Sequence, residues 1–236
     1  MHRLERDHWW FRGKRAAVAA LLERAGVAPP RAGERVVDVG CGTGAVLERF
    51  GAGAIAIGID DHEDALRYAR ARSGARLARS DARALPFRTG SVDRLFLLDV
   101  AEHVPEDARL FSEIRRVLRP SGLAVVHVPA HPWMWSPHDE AMHHVRRYTR
   151  RELQSRIREA GLAPAVLTYT FGGLLLPAAA VRAIKRRGAG GERADFGVAP
   201  AWMNRALAGW QRLEAAWLAR GNLPLGLSLA AVVRAA

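Results

Sequence analysis

The sequence predicts an α/β fold in which a parallel sheet is covered by helices on both faces. Short apolar runs alternate with amphipathic segments, and most of these runs are apolar throughout, as in strands buried on both sides. A glycine-rich turn also follows the first run directly. Sheets of this kind bind ligands at the carboxyl ends of their strands, so functional side chains are expected there.

Seven apolar runs predict the strands. Most are rich in valine, isoleucine and leucine, and the third is the weakest. The predicted strands cover 35–40, 54–60, 75–81, 92–100, 122–129, 163–171 and 226–234. The regular alternation with helices stops after the sixth strand, because about fifty residues of a different character precede the seventh.

Helices are predicted where apolar residues recur at spacings of three and four. They cover 14–25, 44–50, 64–72, 105–120, 149–161, 174–187 and 201–219. Start and stop signals support two of them. Pro105 begins one helical pattern and Pro120 stands just past its end. Thr149 and Glu152 have the spacing of a capping box.

The composition indicates one large domain, 1–236. The chain has 236 residues, 49% of them hydrophobic, and a formal net charge of +12. Only Lys14 and Lys185 are lysines, and the many arginines are scattered along the chain. A GC-rich coding bias would produce this pattern, so no nucleic-acid partner is predicted from the charge.

The sequence shows no sign of export or of membrane insertion. Residues 1–15 carry charges but lack the apolar run of a secretory signal. The longest apolar stretches, near 171–181 and 223–233, are too short to span a bilayer. Cys41 is the only cysteine, which excludes an internal disulfide. We therefore expect a cytoplasmic protein without stable membrane insertion.

The sharpest signal is the stretch VVDVGCGTG at 36–44. Gly40, Gly42 and Gly44 permit a tight turn and the close approach of a ligand. Asp38 stands inside the apolar strand, where a carboxylate needs a partner. It would repel a pyrophosphate but would suit a ligand that carries a cation beside a nucleoside. The glycines also fit a dinucleotide fingerprint, so a dinucleotide oxidoreductase is the alternative.

Further acidic residues end the next three strands. Asp60 ends the second, where a carboxylate can accept hydrogen bonds from both ribose hydroxyls. Asp81 ends the third and could accept from an adenine amino group, the alternative being a turn residue. Asp99 ends the fourth and is followed by Glu102 and His103. Because parallel strands end at one edge, these side chains predict a single site.

These stretches together resemble the class I S-adenosylmethionine-dependent methyltransferases. The resemblance rests on VDVGCGTG, GID, SDARALPF, LLDVAEHV and LRPSGLAVV, which occur in the family's order within residues 35–129. It implies S-adenosylmethionine as the cofactor. It also implies a Rossmann-like sheet of seven strands in the order 3-2-1-4-5-7-6, the last antiparallel. Residues 172–225 would then be a helical insertion between strands six and seven.

The two ends of the chain resemble a bacterial branch of small-molecule methyltransferases with an HWWF motif. This likeness implies a role in secondary metabolism and a lid helix within 1–30, with ordinary packing as the alternative for its aromatic residues. The resemblance and the strand ends assign cofactor binding to Trp10, Arg15, Asp38, Gly40, Gly42, Gly44, Asp60, Asp61, Asp81, Ala82, Asp99 and His103. The stretch after Asp60 is more charged than is usual in the family.

The histidine-rich loop at 131–149 leaves the fifth strand at the predicted site. Transfer to an oxygen needs a base for the acceptor proton, and histidine is the usual one near neutral pH. His131, His138 and His143 are therefore the candidate catalytic residues, and the small-molecule acceptor is expected to be methylated at oxygen. Transfer to nitrogen or carbon by positioning alone is the alternative. His127, inside the strand, is expected to be a hydrogen-bonded core residue.

No metal is assigned, although a divalent ion at the acceptor is kept as an alternative. His138, Asp139, Glu140 and His143 offer suitable donors, and their spacing fits no tight zinc motif.

The insertion carries an aromatic and aliphatic stripe in its second helix. Its members are Met203, Leu207, Trp210, Leu213 and Trp217. We expect the stripe to be buried as a cap that makes the acceptor cavity partly apolar. A homodimer contact and a membrane surface are the alternatives. A linker at 188–197 would let the cap move.

Overall fold

Seven strands form one sheet in the computed structural model, which describes residues 7–49, 53–187 and 200–235. The strands are β1 Arg35–Val39, β2 Ile55–Asp60, β3 Arg76–Arg79, β4 Val92–Leu98, β5 Leu118–Pro129, β6 Leu162–Thr170 and β7 Ser228–Ala235. Their order is β3-β2-β1-β4-β5-β7-β6. β7 runs antiparallel to both of its neighbours, and the other pairings are parallel. The predicted fold class and strand order are confirmed.

Seven α-helices accompany the sheet in the described part of the chain. They are α1 Trp9–Arg24, α2 Glu63–Arg72, α3 Asp107–Val117, α4 Pro137–Ala141, α5 Arg150–Glu159, α6 Leu175–Arg187 and α7 Ala201–Leu218. The predicted capping box is present, since Thr149 Oγ1 accepts from the Glu152 N–H and the Glu152 carboxylate accepts from the Thr149 N–H. The predicted linker at 188–197 lies outside the described residues.

The prediction of a helix at 44–50 is wrong for the described residues of that segment. The chain there makes turns and a single 3₁₀ segment, Leu47–Arg49. Gly42 and Gly44 both have positive φ, at 52° and 82°. These left-handed conformations suit the glycine turn and interrupt a right-handed helix before it can begin.

A layer of helices covers each face of the sheet. On one face, α3 and α5 bury Phe111, Ile114 and Ile157 against alternate residues of the central strands. On the other, α1 and α7 bury Leu21 and Leu218. At the carboxyl edge of the parallel strands the connections are loops with short helical segments, among them Ala101–His103 after β4 and α4 after β5.

Three of the five residues of the apolar stripe predicted for α7 are exposed, and the other two, Met203 and Leu207, are half-buried. Trp210, Leu213 and Trp217 are 52%, 69% and 60% exposed. The helix instead buries the neighbouring face, which carries Ala208, Gln211, Glu214, Ala215 and Leu218. That face packs beside α1 and against the sheet. Helices α6 and α7 lie in the described part of the predicted insertion. The expected burial of the stripe is wrong for Trp210, Leu213 and Trp217, because small residues and one glutamate on the neighbouring face make the closer contact. No helix of the described residues is long and apolar enough to cross a membrane.

Glu214 fixes α7 to the end of β6. Its carboxylate accepts from the backbone N–H groups of Phe171, at 2.5 Å, and Gly172, at 2.9 Å. Phe171 has a positive φ of 59°, so the chain turns sharply here. The buried carboxylate thus satisfies two donors that the turn would otherwise leave without partners.

We predict that Glu214→Ala lowers the free energy of unfolding by about 2–3 kcal/mol, because two backbone donors lose a charged acceptor. Urea unfolding followed by circular dichroism measures it. Arg205→Ala, an exposed change on the same helix, is the control and should stay within about 0.5 kcal/mol of the parent. Equal stability of the two variants would contradict the anchoring role of Glu214.

Candidate functional site

The glycine turn after β1 lets neighbouring groups come close to its backbone. Gly40 has a φ of 69°, and a Cβ at this position would lie 2.3 Å from Cγ2 of Val100. The N–H groups of Gly40 and Cys41 both donate to the carbonyl of Ile59, at 2.7 and 3.0 Å. A side chain at Gly40 is therefore excluded by both space and backbone conformation, and the turn is held against the end of β2.

Asp60 holds the turn from the neighbouring strand. Its carboxylate accepts from the Gly42 N–H at 2.8 Å and from the His62 N–H at 2.9 Å. Each carboxylate oxygen accepts only one of these bonds, and a carboxylate offers about four acceptor positions. The remaining acceptor positions fit the predicted pair of ribose hydroxyls. Asp61, the next residue, is exposed and lies 3.6 Å from His62.

Asp38 is a buried carboxyl group on the α1 face of the sheet. Side chains alternate along a strand, so Asp38 shares the face of Val36, which packs with α1. Burial raises the pKa of Asp38 to about 7, the positive charge of Lys14 opposes that rise, and Asp60 adds to it. A carboxyl in this state takes up a proton at mildly acidic pH and would be ionised by a nearby cation.

A hydrogen-bonded chain crosses the ends of β4, β5 and β6. Lys14 Nζ donates to Asp99 Oδ2 at 2.7 Å, and Asp99 Oδ1 lies 2.6 Å from His127 Nδ1. The other ring nitrogen of His127 lies 3.1 Å from Thr170 Oγ1. Burial would raise the pKa of Asp99, but Lys14 and His127 hold it well below its usual range. The prediction of a hydrogen-bonded His127 is confirmed.

Lys14 is the residue that the sequence prediction missed. The prediction gave Arg15 as the cationic residue of α1, but the structure brings Lys14 to Asp99. The weak signal for it is that Lys14 is one of two lysines in a chain rich in arginine. Trp10, from the same helix, stacks on Phe171 with ring centroids 4.1 Å apart.

Asp81 follows β3 and is engaged by Arg83. Arg83 Nη2 lies 2.6 Å from Asp81 Oδ2, and its Nε lies near both carboxylate oxygens. These hydrogen bonds lower the pKa of Asp81. The pair is substantially exposed, and Ala82 beside it is half-buried. Both the predicted adenine contact and the alternative turn role are compatible with this geometry.

The histidine-rich loop is organised by Asp139, which is fully buried. Its carboxylate accepts from Ser136 N–H at 2.9 Å and from Arg147 Nε at 2.7 Å, and it lies 2.9 Å from His144 Nδ1. Burial would raise the pKa of Asp139, but its hydrogen bonds with His144 and Arg147 lower it. Asp139 was a candidate metal donor in the sequence. The structure instead uses its carboxylate to hold the loop together.

The three candidate bases lie in different surroundings. His131 is buried, stacks on Tyr169 with ring centroids 5.2 Å apart, and hydrogen-bonds with the backbone of Gly226. Its Nε2 has no hydrogen-bond partner among the described residues, and burial lowers its pKa. His138 is half-buried, whereas His143 is exposed. Of the three, His131 combines burial with a free ring nitrogen.

Glu102 and His103 meet His144 of the loop. The donor atoms of these three side chains all lie within 4.8 Å of one another. Burial raises the pKa of Glu102, and Asp99 adds to the rise. Burial lowers the pKa of His103, and His144 adds to that effect. The predicted site residue His103 is therefore part of a cluster that the sequence prediction did not foresee.

Comparison with known proteins agrees with the resemblance. Residues 37–126 match the methyltransferase domain family. An uncharacterised methyltransferase of Mycobacterium sp. strain JLS is 39% identical over 113 residues, which are 47% of this chain and 45% of that protein. A Mycobacterium tuberculosis H37Rv protein named as an S-adenosylmethionine-dependent methyltransferase is 29% identical over 179 residues, 72% of this chain and 61% of its own length.

The chain thus spans less than two thirds of the length of these relatives. A solved structure of an S-adenosylmethionine-dependent methyltransferase from Mesorhizobium loti matches with a TM-score of 0.61 at 20% identity. The match covers 93% of this chain and 97% of that one. At this identity the comparison shows a shared fold, in agreement with the predicted architecture.

We predict that Asp139→Ala lowers the free energy of unfolding by about 3–5 kcal/mol, because it leaves Arg147 buried without its carboxylate partner. Urea unfolding gives the value. Glu140→Ala, an exposed carboxylate on the same short helix, should change stability by no more than about 1 kcal/mol. If Asp139→Ala were as stable as Glu140→Ala, the loop would not depend on this carboxylate.

Proposed function

We propose that this protein is an S-adenosylmethionine-dependent methyltransferase acting on a small molecule, at oxygen, and the match of residues 37–126 to the methyltransferase domain family supports this proposal. The observation that carries the proposal is Asp38, a buried carboxyl directly before a glycine turn that leaves room for a ligand. A buried carboxyl there suits an ammonium group and opposes a phosphate. The name of the Mycobacterium tuberculosis relative supports the same cofactor.

The residues present fit this cofactor. Asp38 would accept from its ammonium group, and Asp60 would accept from the ribose hydroxyls while still holding the Gly42 N–H. Gly42, at which a Cβ would meet nothing within 4 Å, would leave the turn open for close contact. When bound, S-adenosylmethionine supplies a methyl group on a positively charged sulfur, and the electron pair of the broken carbon–sulfur bond stays on sulfur.

We assign the general base to His131. Burial keeps its imidazole neutral near neutral pH, and its Nε2 can accept the proton that an acceptor hydroxyl releases. It stands one residue past Ala130, at the carboxyl end of β5 where ligands bind in sheets of this kind. Stacking on Tyr169 fixes the ring and provides an apolar wall beside it.

We predict that the affinity for S-adenosylhomocysteine, which retains the ammonium group, falls as the pH falls through about 7. Asp38 must lose its proton to pair with the ligand, so binding at about pH 6 should be about tenfold weaker than at about pH 8. Isothermal titration calorimetry measures this dependence. In Asp38→Asn the affinity should be lower at both values and nearly independent of pH.

The matched control is Asp64→Asn, which changes an exposed carboxylate on α2 and should leave the pH dependence as in the parent. NADH serves as the competing ligand in the same titrations. Binding of NADH in place of S-adenosylhomocysteine would contradict the proposed function and favour the dinucleotide alternative.

We predict that His131→Ala lowers the turnover rate about a hundredfold or more without changing cofactor affinity, as expected when a general base is lost. The assay is release of S-adenosylhomocysteine with the best acceptor from a panel of alcohols and phenols. His62→Ala removes an exposed histidine that is distant in the sequence from His131, and it should keep the parent rate. Full activity of His131→Ala would favour transfer by positioning alone.

A further inference from the structure

We propose that Glu102, His103 and His144 form a binding site for a divalent transition-metal ion. One donor atom from each side chain lies within 4.8 Å of the other two. Bonds of about 2.0–2.2 Å to a shared ion at tetrahedral angles would place the donor atoms about 3.5 Å apart, so the side chains would close around the ion by about 1 Å. The cluster joins the turn after β4 to the histidine-rich loop, and a backbone bond from Val145 N–H to the Glu102 carbonyl fastens the two.

Glu102 is the strongest sign of a ligand. The residue is 1% exposed, and its Oε2 has no hydrogen-bond partner among the described residues. A buried carboxylate oxygen without a donor is unfavourable, since it has lost water and gained nothing in exchange. A metal ion held against this oxygen would provide the missing positive partner.

His144 is already oriented as a ligand. Its Nδ1 lies 2.9 Å from Asp139 Oδ1, and because Asp139 is ionised, Nδ1 carries the proton. Nε2 is then left with a free lone pair. A metal-bound imidazole usually donates its other N–H to a carboxylate, which fixes the tautomer and the ring orientation.

His103 completes the set in the same manner. One of its ring nitrogens hydrogen-bonds with the backbone of His143. Its ring meets the ring of His144 edge to face, with centroids 4.8 Å apart. Both imidazoles are thus held by groups outside the cluster, which leaves one nitrogen of each for an ion.

The donor set indicates the class of metal. Two imidazoles and one carboxylate suit zinc, iron or manganese, whereas magnesium prefers oxygen ligands. Three protein ligands also leave at least one position for water or a substrate atom, as in catalytic zinc sites. The cluster would therefore be a site that accepts a further ligand.

The position of the cluster suggests its use, and this step rests on the proposed function. Glu102 and His103 follow Asp99 on the carboxyl side of β4, and the charge of Asp99 acts on both. An ion here would hold the acceptor oxygen and lower the pKa of its hydroxyl. The acceptor class would then be an alcohol or phenol with a second oxygen nearby, able to bind the ion through two atoms. His103 would be a metal ligand and not a cofactor contact.

The test is a titration of chelator-treated protein with Zn²⁺, Mn²⁺ and Mg²⁺ by isothermal calorimetry. We expect one Zn²⁺ or Mn²⁺ ion per chain and much weaker Mg²⁺ binding. His144→Ala and Glu102→Gln should each weaken Zn²⁺ binding at least tenfold. The matched control is Glu140→Gln, which neutralises an exposed carboxylate of the same loop and should leave the affinity unchanged. Circular dichroism confirms that each variant is folded.

Three results would overturn the site. These are no binding of Zn²⁺ or Mn²⁺ by the parent protein, undiminished binding in His144→Ala, and Mg²⁺ affinity equal to that for Zn²⁺. Titration with S-adenosylhomocysteine on the same samples keeps the two proposals apart. Cofactor binding without metal binding would leave the proposed function standing and remove the metal site. Metal binding without cofactor binding would leave the metal site standing and contradict the proposed function.

Discussion

The functional edge depends on how its buried acidic side chains are compensated. A carboxylate taken out of water needs hydrogen bonds or a cation, or it takes up a proton. Asp60 is satisfied by backbone N–H groups, and Asp99 by a lysine and a histidine. Asp38 keeps a pKa near 7, and Glu102 keeps an oxygen without a donor. The two incompletely compensated acids are the two positions where we propose that a positive group binds.

Most of the fold could be predicted from the sequence, because strands buried on both faces leave an unmistakable pattern of apolar runs. The errors have physical causes. The segment at 44–50 has helix-forming residues. The left-handed conformations of Gly42 and Gly44, before it and at its start, prevent a right-handed helix from beginning there. The stripe of α7 was expected to be buried because aromatic residues are usually buried. Small side chains on the neighbouring face instead let α7 approach α1 and the sheet closely. The same face carries Glu214, whose carboxylate accepts hydrogen bonds from two backbone N–H groups.

The residues of the candidate site could be predicted only where they lie on one strand and the turn that follows it. Asp38 and Asp60 are such residues, since a carboxylate next to a glycine turn is visible in a single short stretch. The contact of Lys14 with Asp99 joins residues 85 positions apart, and His144 meets His103 across about half that gap. Such pairs form when helices and loops pack on the sheet, and local sequence patterns carry no information about that packing. The same limit explains why the loop's acidic residue was taken for a metal donor.

The loop's many histidines divide into those that hold its shape and those that remain available for chemistry. His131 and His143 both have positive φ, near 60°, which costs about 1–3 kcal/mol each for a residue other than glycine. A strained loop persists only when its surroundings over-determine it, and the buried Asp139 network provides that support. A base or a metal ligand misplaced by about 1 Å loses much of its effect, so the roles proposed for His131 and His144 would require this rigidity. In those roles Asp139 would serve the chemistry by fixing the positions of the imidazoles.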